Sequence, residues 1–177
     1  MFETLKNILR TGDSTVKYPF EPIETPPGMR GKPEHDSVQC IACTACAVAC
    51  PPNAIQMQTD LKEGTVSWNI NYGRCIFCGR CEESCPVEAI ALSSEFELAV
   101  MTKEDLEETS IYSLQACESC GKLFAPKKAV DYVASLLEVT TESDEGDRAL
   151  ETVRVCPECK RVRDGYTALE SATKRGC

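Results

Sequence analysis

Histidine is nearly absent from the chain: one residue in 177, His35, stands beside 13 cysteines. A Cys2His2 zinc finger and a Rieske centre each need a pair of imidazoles, so neither can be built. Histidine-based acid–base chemistry would have to rest on His35 alone. No Gly-x-Gly-x-x-Gly turn and no Gly-x4-Gly-Lys-Ser/Thr loop occurs, which removes the usual cradles for nucleotide phosphates. There is no run of about 18 apolar residues to span a bilayer, and the first residues lack the apolar stretch of a secretory signal. These absences lead us to expect a cytoplasmic protein that is not itself an enzyme.

Positive charge is also scarce. Lys and Arg total 19 against 28 Asp and Glu, giving a net charge of −9. Repulsion from a phosphate backbone argues against nucleic acid, so the expected partners are proteins. In a reducing compartment a disulfide framework is disfavoured, and an odd cysteine count would leave one unpaired in any case. Metal ligation is the better use for so many thiols.

What is present is an internal repeat. The run Cys40-Ile-Ala-Cys43-Thr-Ala-Cys46-Ala-Val-Ala-Cys50-Pro recurs 35 residues on as Cys75-Ile-Phe-Cys78-Gly-Arg-Cys81-Glu-Glu-Ser-Cys85-Pro, and an Ala-Ile pair closes each copy. Three thiolates at this spacing can bind three irons of a [4Fe–4S] cube, and in two-cluster ferredoxins the fourth cysteine of each run crosses to the other cluster. Cluster A is therefore expected on Cys40, Cys43, Cys46 and Cys85, and cluster B on Cys75, Cys78, Cys81 and Cys50. Ile41, Phe77, Ile55 and Ile90 are the expected apolar cover. A strand hairpin is predicted after the first copy, from Ile55 to Tyr72 around Lys62-Glu63-Gly64, with Val66, Trp68 and Ile70 alternating against polar residues. An equivalent hairpin is predicted over Ile90–Leu92 and Phe96–Met101.

A third constellation follows in Cys117-Glu-Ser-Cys120 and Cys156-Pro-Glu-Cys159. Two such knuckles offer four thiolates for one tetrahedral ion, zinc in preference to iron, in a zinc-ribbon or rubredoxin-like domain. Thr102 and Asp105 suit a helix start before Leu106, and Pro126 suits the first turn of another helix. Residues 138–151 read as an acidic, solvated loop, Cys177 as a free thiol and His35 as a surface residue.

Ahead of the repeat, Phe2, Leu5, Ile8 and Leu9 fall on one side of a short amphipathic helix, and the prolines from Pro19 to Pro33 impose an extended arm. Neither segment can form a core alone, so both are expected to dock on partner subunits or the membrane surface. The expected fold is α+β, in three parts: the helix and arm (1–33), a ferredoxin-like two-[4Fe–4S] domain (34–101) and a four-cysteine metal domain (102–177).

The doubled motif, the arm from Tyr18-Pro19-Phe20 to Met29-Arg30-Gly31-Lys32-Pro33 and the C-terminal cysteine pairs together resemble one family. It is that of hydrogenase-4 component H and formate hydrogenlyase subunit 6, the two-cluster ferredoxin subunit of group 4 [NiFe] hydrogenases. The alternatives are a complex I-type two-cluster subunit, against which the extra four-cysteine segment argues, and an assembly protein whose metals only stabilise its fold. The resemblance implies an electron-transfer subunit on the cytoplasmic face of the inner membrane. It would work between a formate dehydrogenase-linked iron–sulfur subunit and the hydrogenase small subunit. Its neighbours would include the hydrogenase large subunit and membrane-arm subunits.

Overall fold

The computed structural model describes residues 2–12, 15–140 and 144–174. In chain order the elements are α1 (Phe2–Thr11), β1 (Pro33–His35), α2 (Ala45–Ala49), β2 (Ile55–Asp60), β3 (Thr65–Asn71), α3 (Arg80–Glu83) and β4 (Ile90–Leu92). They continue with β5 (Glu107–Ala116), β6 (Leu123–Pro126), α4 (Lys127–Thr140), α5 (Asp144–Val153) and α6 (Pro157–Lys174).

The first predicted hairpin forms. β2 and β3 pair antiparallel from Ile55 opposite Ile70 to Asp60 opposite Thr65. Its turn is fixed locally: the Asp60 carboxylate accepts the Lys62 and Glu63 N–H groups at 2.8 and 3.2 Å, and Gly64 takes a left-handed φ of 68°. The period of two in β3 buries Val66, Trp68 and Ile70 while their neighbours stay half-exposed. With Ile55, Tyr72, Ala89, Ile90 and Tyr112 they form the main core.

The second predicted hairpin does not form. Ile90–Leu92 pairs instead with β1, at the end of the arm, and Phe96–Met101 contains no strand. Backbone bonds explain the exchange: Gly31 N–H donates to the Ser93 carbonyl at 2.8 Å and Lys32 N–H to the Glu95 carbonyl at 2.6 Å. A Cβ on residue 31 would lie 2.2 Å from the Glu95 carbonyl oxygen, so only glycine permits this approach.

The helix predicted before Leu106 is a single 3-10 turn, Glu104–Leu106, with Thr102 N–H bonded to the Asp105 carboxylate at 3.2 Å. β5 then begins at once. Its Thr109, Ile111 and Tyr112 favour extended backbone, and the free edge of β3 supplies a partner, from Thr65 opposite Ser113 to Asn71 opposite Glu107. The resulting sheet, in the order β2-β3-β5-β6, joins strands that lie on either side of residues 101 and 102 in the chain.

Pro126 ends β6 and α4 follows as predicted, with Val130 and Ala134 buried. Lys128 reaches from this helix to the Ser37 and Val38 carbonyls at 2.9 and 2.8 Å. The segment expected as an acidic loop is mostly helical, because α4 runs to Thr140 and α5 starts at Asp144. Cys177 lies outside the described residues. No residue of α1 is buried, and Phe2, Leu5, Ile8 and Leu9 are 60–90% exposed. Among the described residues no helix is long and apolar enough to cross a membrane.

Candidate metal centres

The two cysteine runs fold alike down to single backbone angles. Ala42 and Phe77 have φ of 55° and 53°, Thr44 and Gly79 68° and 80°, Asn53 and Glu88 52° and 54°. Each left-handed non-glycine residue costs about 1–2 kcal/mol. Five such residues in two short loops persist only where the surrounding structure over-determines them, as it does at functional sites. The bends turn backbone N–H groups onto sulfur. Ala42 and Phe77 donate to Cys40 and Cys75 Sγ, both at 3.4 Å, and Ala54 and Ala89 donate to Cys50 and Cys85 Sγ, both at 3.2 Å.

Two apolar pockets of matching size lie inside these loops. One is lined by Cys40, Cys43, Cys46 and Cys85 with Ile41 and Ile90. The other is lined by Cys50, Cys75, Cys78 and Cys81 with Ile55 and Phe77. Each pocket thus gathers three cysteines of one run and the last of the other. Burial pushes the Cys46, Cys75 and Cys81 thiols up, Cys81 to about 11, so bare thiolates are disfavoured there. Soft sulfur donors with amide N–H groups aimed at them, around a dry pocket, suit an iron–sulfur cluster.

The pockets differ in their side chains. Trp68 Nε1 donates to Cys46 Sγ at 3.4 Å, and His35 stacks on the indole with ring centres 3.7 Å apart and planes 16° from parallel. His35 is therefore a half-buried residue rather than the surface residue expected; Ser110 Oγ lies 3.4 Å from its Nδ1. The Tyr112 hydroxyl lies 3.5 Å from His35 Nε2, and burial, the first cause, raises the Tyr112 pKa. Beside the other pocket, Arg30 donates from Nη1 to the Cys78 carbonyl at 3.1 Å. Sequence patterning put Trp68 and Tyr72 on a buried face but carried no signal that Trp68, His35, Tyr112 and Arg30 would meet the cysteine loops, because those contacts join segments remote in the chain.

The third quartet also comes together. The sulfurs of Cys117, Cys120, Cys156 and Cys159 all lie within 4.8 Å of one another, close enough for a single ion. Cys156 N–H donates to Cys117 Sγ at 3.2 Å, the first cause of a Cys117 pKa held down to about 6. Lys122 and Glu158, one beside each pair, form an ion pair at 2.8 Å. The expected second knuckle is a helix start instead: Cys156 precedes α6, Pro157 occupies its first position and Cys159 lies in its first turn. Proline favours that position because it has no N–H to leave unpaired. The ribbon or rubredoxin-like expectation is corrected accordingly, since one cysteine pair opens a helix.

Together these loops define an iron–sulfur protein of the dicluster class, and residues 39–89 match the 4Fe-4S dicluster domain. The chain is 47% identical over 163 residues to formate hydrogenlyase subunit 6 of Escherichia coli (strain K12), across 92% of this chain and 90% of that protein. It belongs to the formate hydrogenlyase subunit 6 family. It is also 42% identical over 102 residues to NADH-quinone oxidoreductase subunit I of Pseudomonas entomophila (strain L48), across 52% of this chain and 56% of that one. A chain of the membrane-bound sulfane sulfur reductase, an archaeal respiratory membrane complex, aligns with a TM-score of 0.45 and 33% identity over 59% of this chain and 57% of that chain. The role common to this family and its NADH-quinone oxidoreductase relatives is electron transfer within an oxidoreductase complex.

Proposed function

We propose that this subunit relays single electrons through two [4Fe–4S] clusters, from a formate dehydrogenase-linked iron–sulfur subunit to the small subunit of a [NiFe] hydrogenase. The observation that carries this reading is the crossed grouping of the cysteines around two matched pockets. Cluster A takes Cys40, Cys43, Cys46 and Cys85; cluster B takes Cys75, Cys78, Cys81 and Cys50. When bound, the clusters supply one-electron redox chemistry at sulfur-ligated iron. The chain's own part is to fix the thiolates, turn amide N–H groups onto them and keep water out with Ile41, Ile55, Phe77 and Ile90. No catalytic residue is assigned, so the chemistry on formate and protons belongs to partner subunits.

Cys117, Cys120, Cys156 and Cys159 hold one tetrahedral ion, zinc in preference to iron, that ties β5 and β6 to α6 and takes no part in electron flow. The chain divides by role into a docking segment (1–33), a ferredoxin-like cluster domain (34–101) and a metal-stabilised segment (102–177). It sits on the cytoplasmic face of the inner membrane, against the hydrogenase large and small subunits, another iron–sulfur subunit and membrane-arm subunits. Any lipid contact is peripheral and made through residues 1–33. The relatives named for NADH-quinone oxidoreductase cover about half of the chain, whereas formate hydrogenlyase subunit 6 covers nine-tenths, which favours the hydrogenase setting. Purification of the native complex tests the assignment: hydrogenase and formate dehydrogenase subunits should copurify, and recovery with complex I subunits instead would overturn it.

A further inference from the structure

The two pockets match in backbone but not in the side chains that touch sulfur. The sulfur hydrogen bonds of the second pocket, on Cys50 and Cys75, come from the backbone N–H groups of Ala54 and Phe77. The first pocket has the equivalent backbone bonds on Cys40 and Cys85. It adds the Trp68 indole on Cys46. The repeat gives Trp68 no twin, since the position 35 residues on is Lys103, at the start of the 3-10 turn before β5.

The donor is held in place. Trp68 is 1% exposed, and its ring is clamped from one side by His35, stacked at 3.7 Å. A buried indole N–H needs an acceptor, and Cys46 Sγ at 3.4 Å is the acceptor here. His35 is itself positioned by the Tyr112 hydroxyl, 3.5 Å from its Nε2. The indole is not free to turn to solvent.

From this we infer that Trp68 is the side-chain donor that raises the reduction potential of cluster A, independently of cluster B. The inference rests on the cluster assignment proposed above. One electron enters from the redox partner and no proton need follow it: the indole hydrogen stays on Trp68. The added charge spreads onto the ligand sulfurs, and a hydrogen bond to a more negative acceptor is stronger. The indole therefore stabilises the reduced form more than the oxidised form and raises the potential. Its removal should make cluster A harder to reduce while cluster B keeps its potential.

The test is a redox titration followed by electron paramagnetic resonance on the full-length, reconstituted chain, with the signal of cluster A identified as the one altered in Cys43→Ser. Trp68→Phe keeps an aromatic ring and deletes the donor. The variant should retain full iron and shift the one-electron equilibrium of cluster A about threefold to tenfold towards the oxidised form, tenfold being 59 mV. The potential of cluster B should not move. An unchanged cluster A potential, or equal shifts at both clusters, would overturn the inference.

Trp68 is the single tryptophan of the chain, so indole ¹⁵N labelling marks one nitrogen and requires no variant. Pulsed resonance on the reduced native protein should show ¹⁵N coupling to cluster A and none to cluster B. Absence of coupling, or coupling to cluster B, would sink the assignment even if Trp68→Phe failed to take up iron. A preparation saturated with a single cluster would instead defeat the functional reading itself.

Discussion

Asn53 and Glu88 adopt the same left-handed backbone, with φ of 52° and 54°, at equivalent positions of the two cysteine runs. Each follows the last cysteine of its run by three residues and precedes the alanine whose N–H bonds that cysteine's sulfur. The strain is the consequence of aiming that N–H. Asparagine tolerates this conformation better than most residues; glutamate does not. Glu88→Gly should therefore stabilise the loaded protein by about 1 kcal/mol, part of the relief being offset by the greater freedom of glycine when unfolded. Anaerobic denaturant unfolding with both clusters bound measures it, and a destabilised variant would show that the Glu88 side chain contributes more than its backbone costs.

The crossed grouping of cysteines makes a sharper prediction. The native chain should bind about eight irons in two cubes. Cys85→Ser should disturb cluster A, although Cys85 lies in the second run, because it lines the pocket with Cys40, Cys43 and Cys46. Cys50→Ser should disturb cluster B for the converse reason. Iron and sulfide analysis with resonance spectra of each variant decides the matter: a Cys85→Ser protein altered at cluster B alone would mean that each run serves its own cluster.

Much of this was legible in the sequence, and what was not has a common cause. The cysteine spacing, the alternation of Val66, Trp68 and Ile70 and the turn at Lys62-Glu63-Gly64 are local signals, and the hairpin and pocket linings follow from them. Ile90–Leu92 had no local mark of its partner, because Pro33–His35 reaches it through the close approach of Gly31 to Glu95. Leu106 looked like the first core residue of a helix, yet the open edge of β3 drew the following residues into β5. His35 gave no pattern at all, since its place is set by stacking on a tryptophan from another strand. Pairings between remote segments decided each case.

His35 also gives a pH prediction. Burial holds its pKa below the usual value of 6.5, with Glu108 and Asp36 pulling it up in part and Lys128 pushing it further down. The unfolded chain then takes up a proton more readily than the folded one, so stability rises with pH through this range. The contribution is fully present above 6.5 and is lost as pH falls through the lower folded value. His35→Phe, which keeps the stack on Trp68, should flatten this slope between about pH 5 and 7. Unfolding midpoints across that interval provide the check, and an unaltered slope would assign it to carboxylates instead.

The third site predicts one further metal ion per chain. Cys159→Ser should lose that ion while about eight irons remain, and α6 should loosen, since Cys156 and Cys159 open it. The whole chain must be used, because β5 needs β3 as its partner and a fragment beginning at Thr102 would lack it. Elemental analysis then separates zinc from iron. Iron that cycles at the potential of the cubes would contradict the structural role.

The last prediction concerns α1. Its Phe2, Leu5, Ile8 and Leu9 are 60–90% exposed, and none of its residues is buried. A helix of 10 residues is marginal alone in water, so the proposal that residues 1–33 dock predicts that α1 finds its burial on a partner. The arm behind it is attached differently: Gly31 and Lys32 bond Ser93 and Glu95, and Arg30 bonds the Cys78 carbonyl. A clean truncation should therefore stop at residue 12, before those contacts begin. Deleting residues 2–12 should leave iron content and both cluster signals intact while breaking copurification with the hydrogenase and membrane-arm subunits. Hydrogen evolution from formate should fall with it, because a detached relay lies beyond tunnelling distance of its neighbours. Four single substitutions to Ser at Phe2, Leu5, Ile8 and Leu9 should each weaken assembly in proportion to the apolar area removed. A truncated subunit that still assembled and supported normal hydrogen evolution would show that α1 is not the anchor.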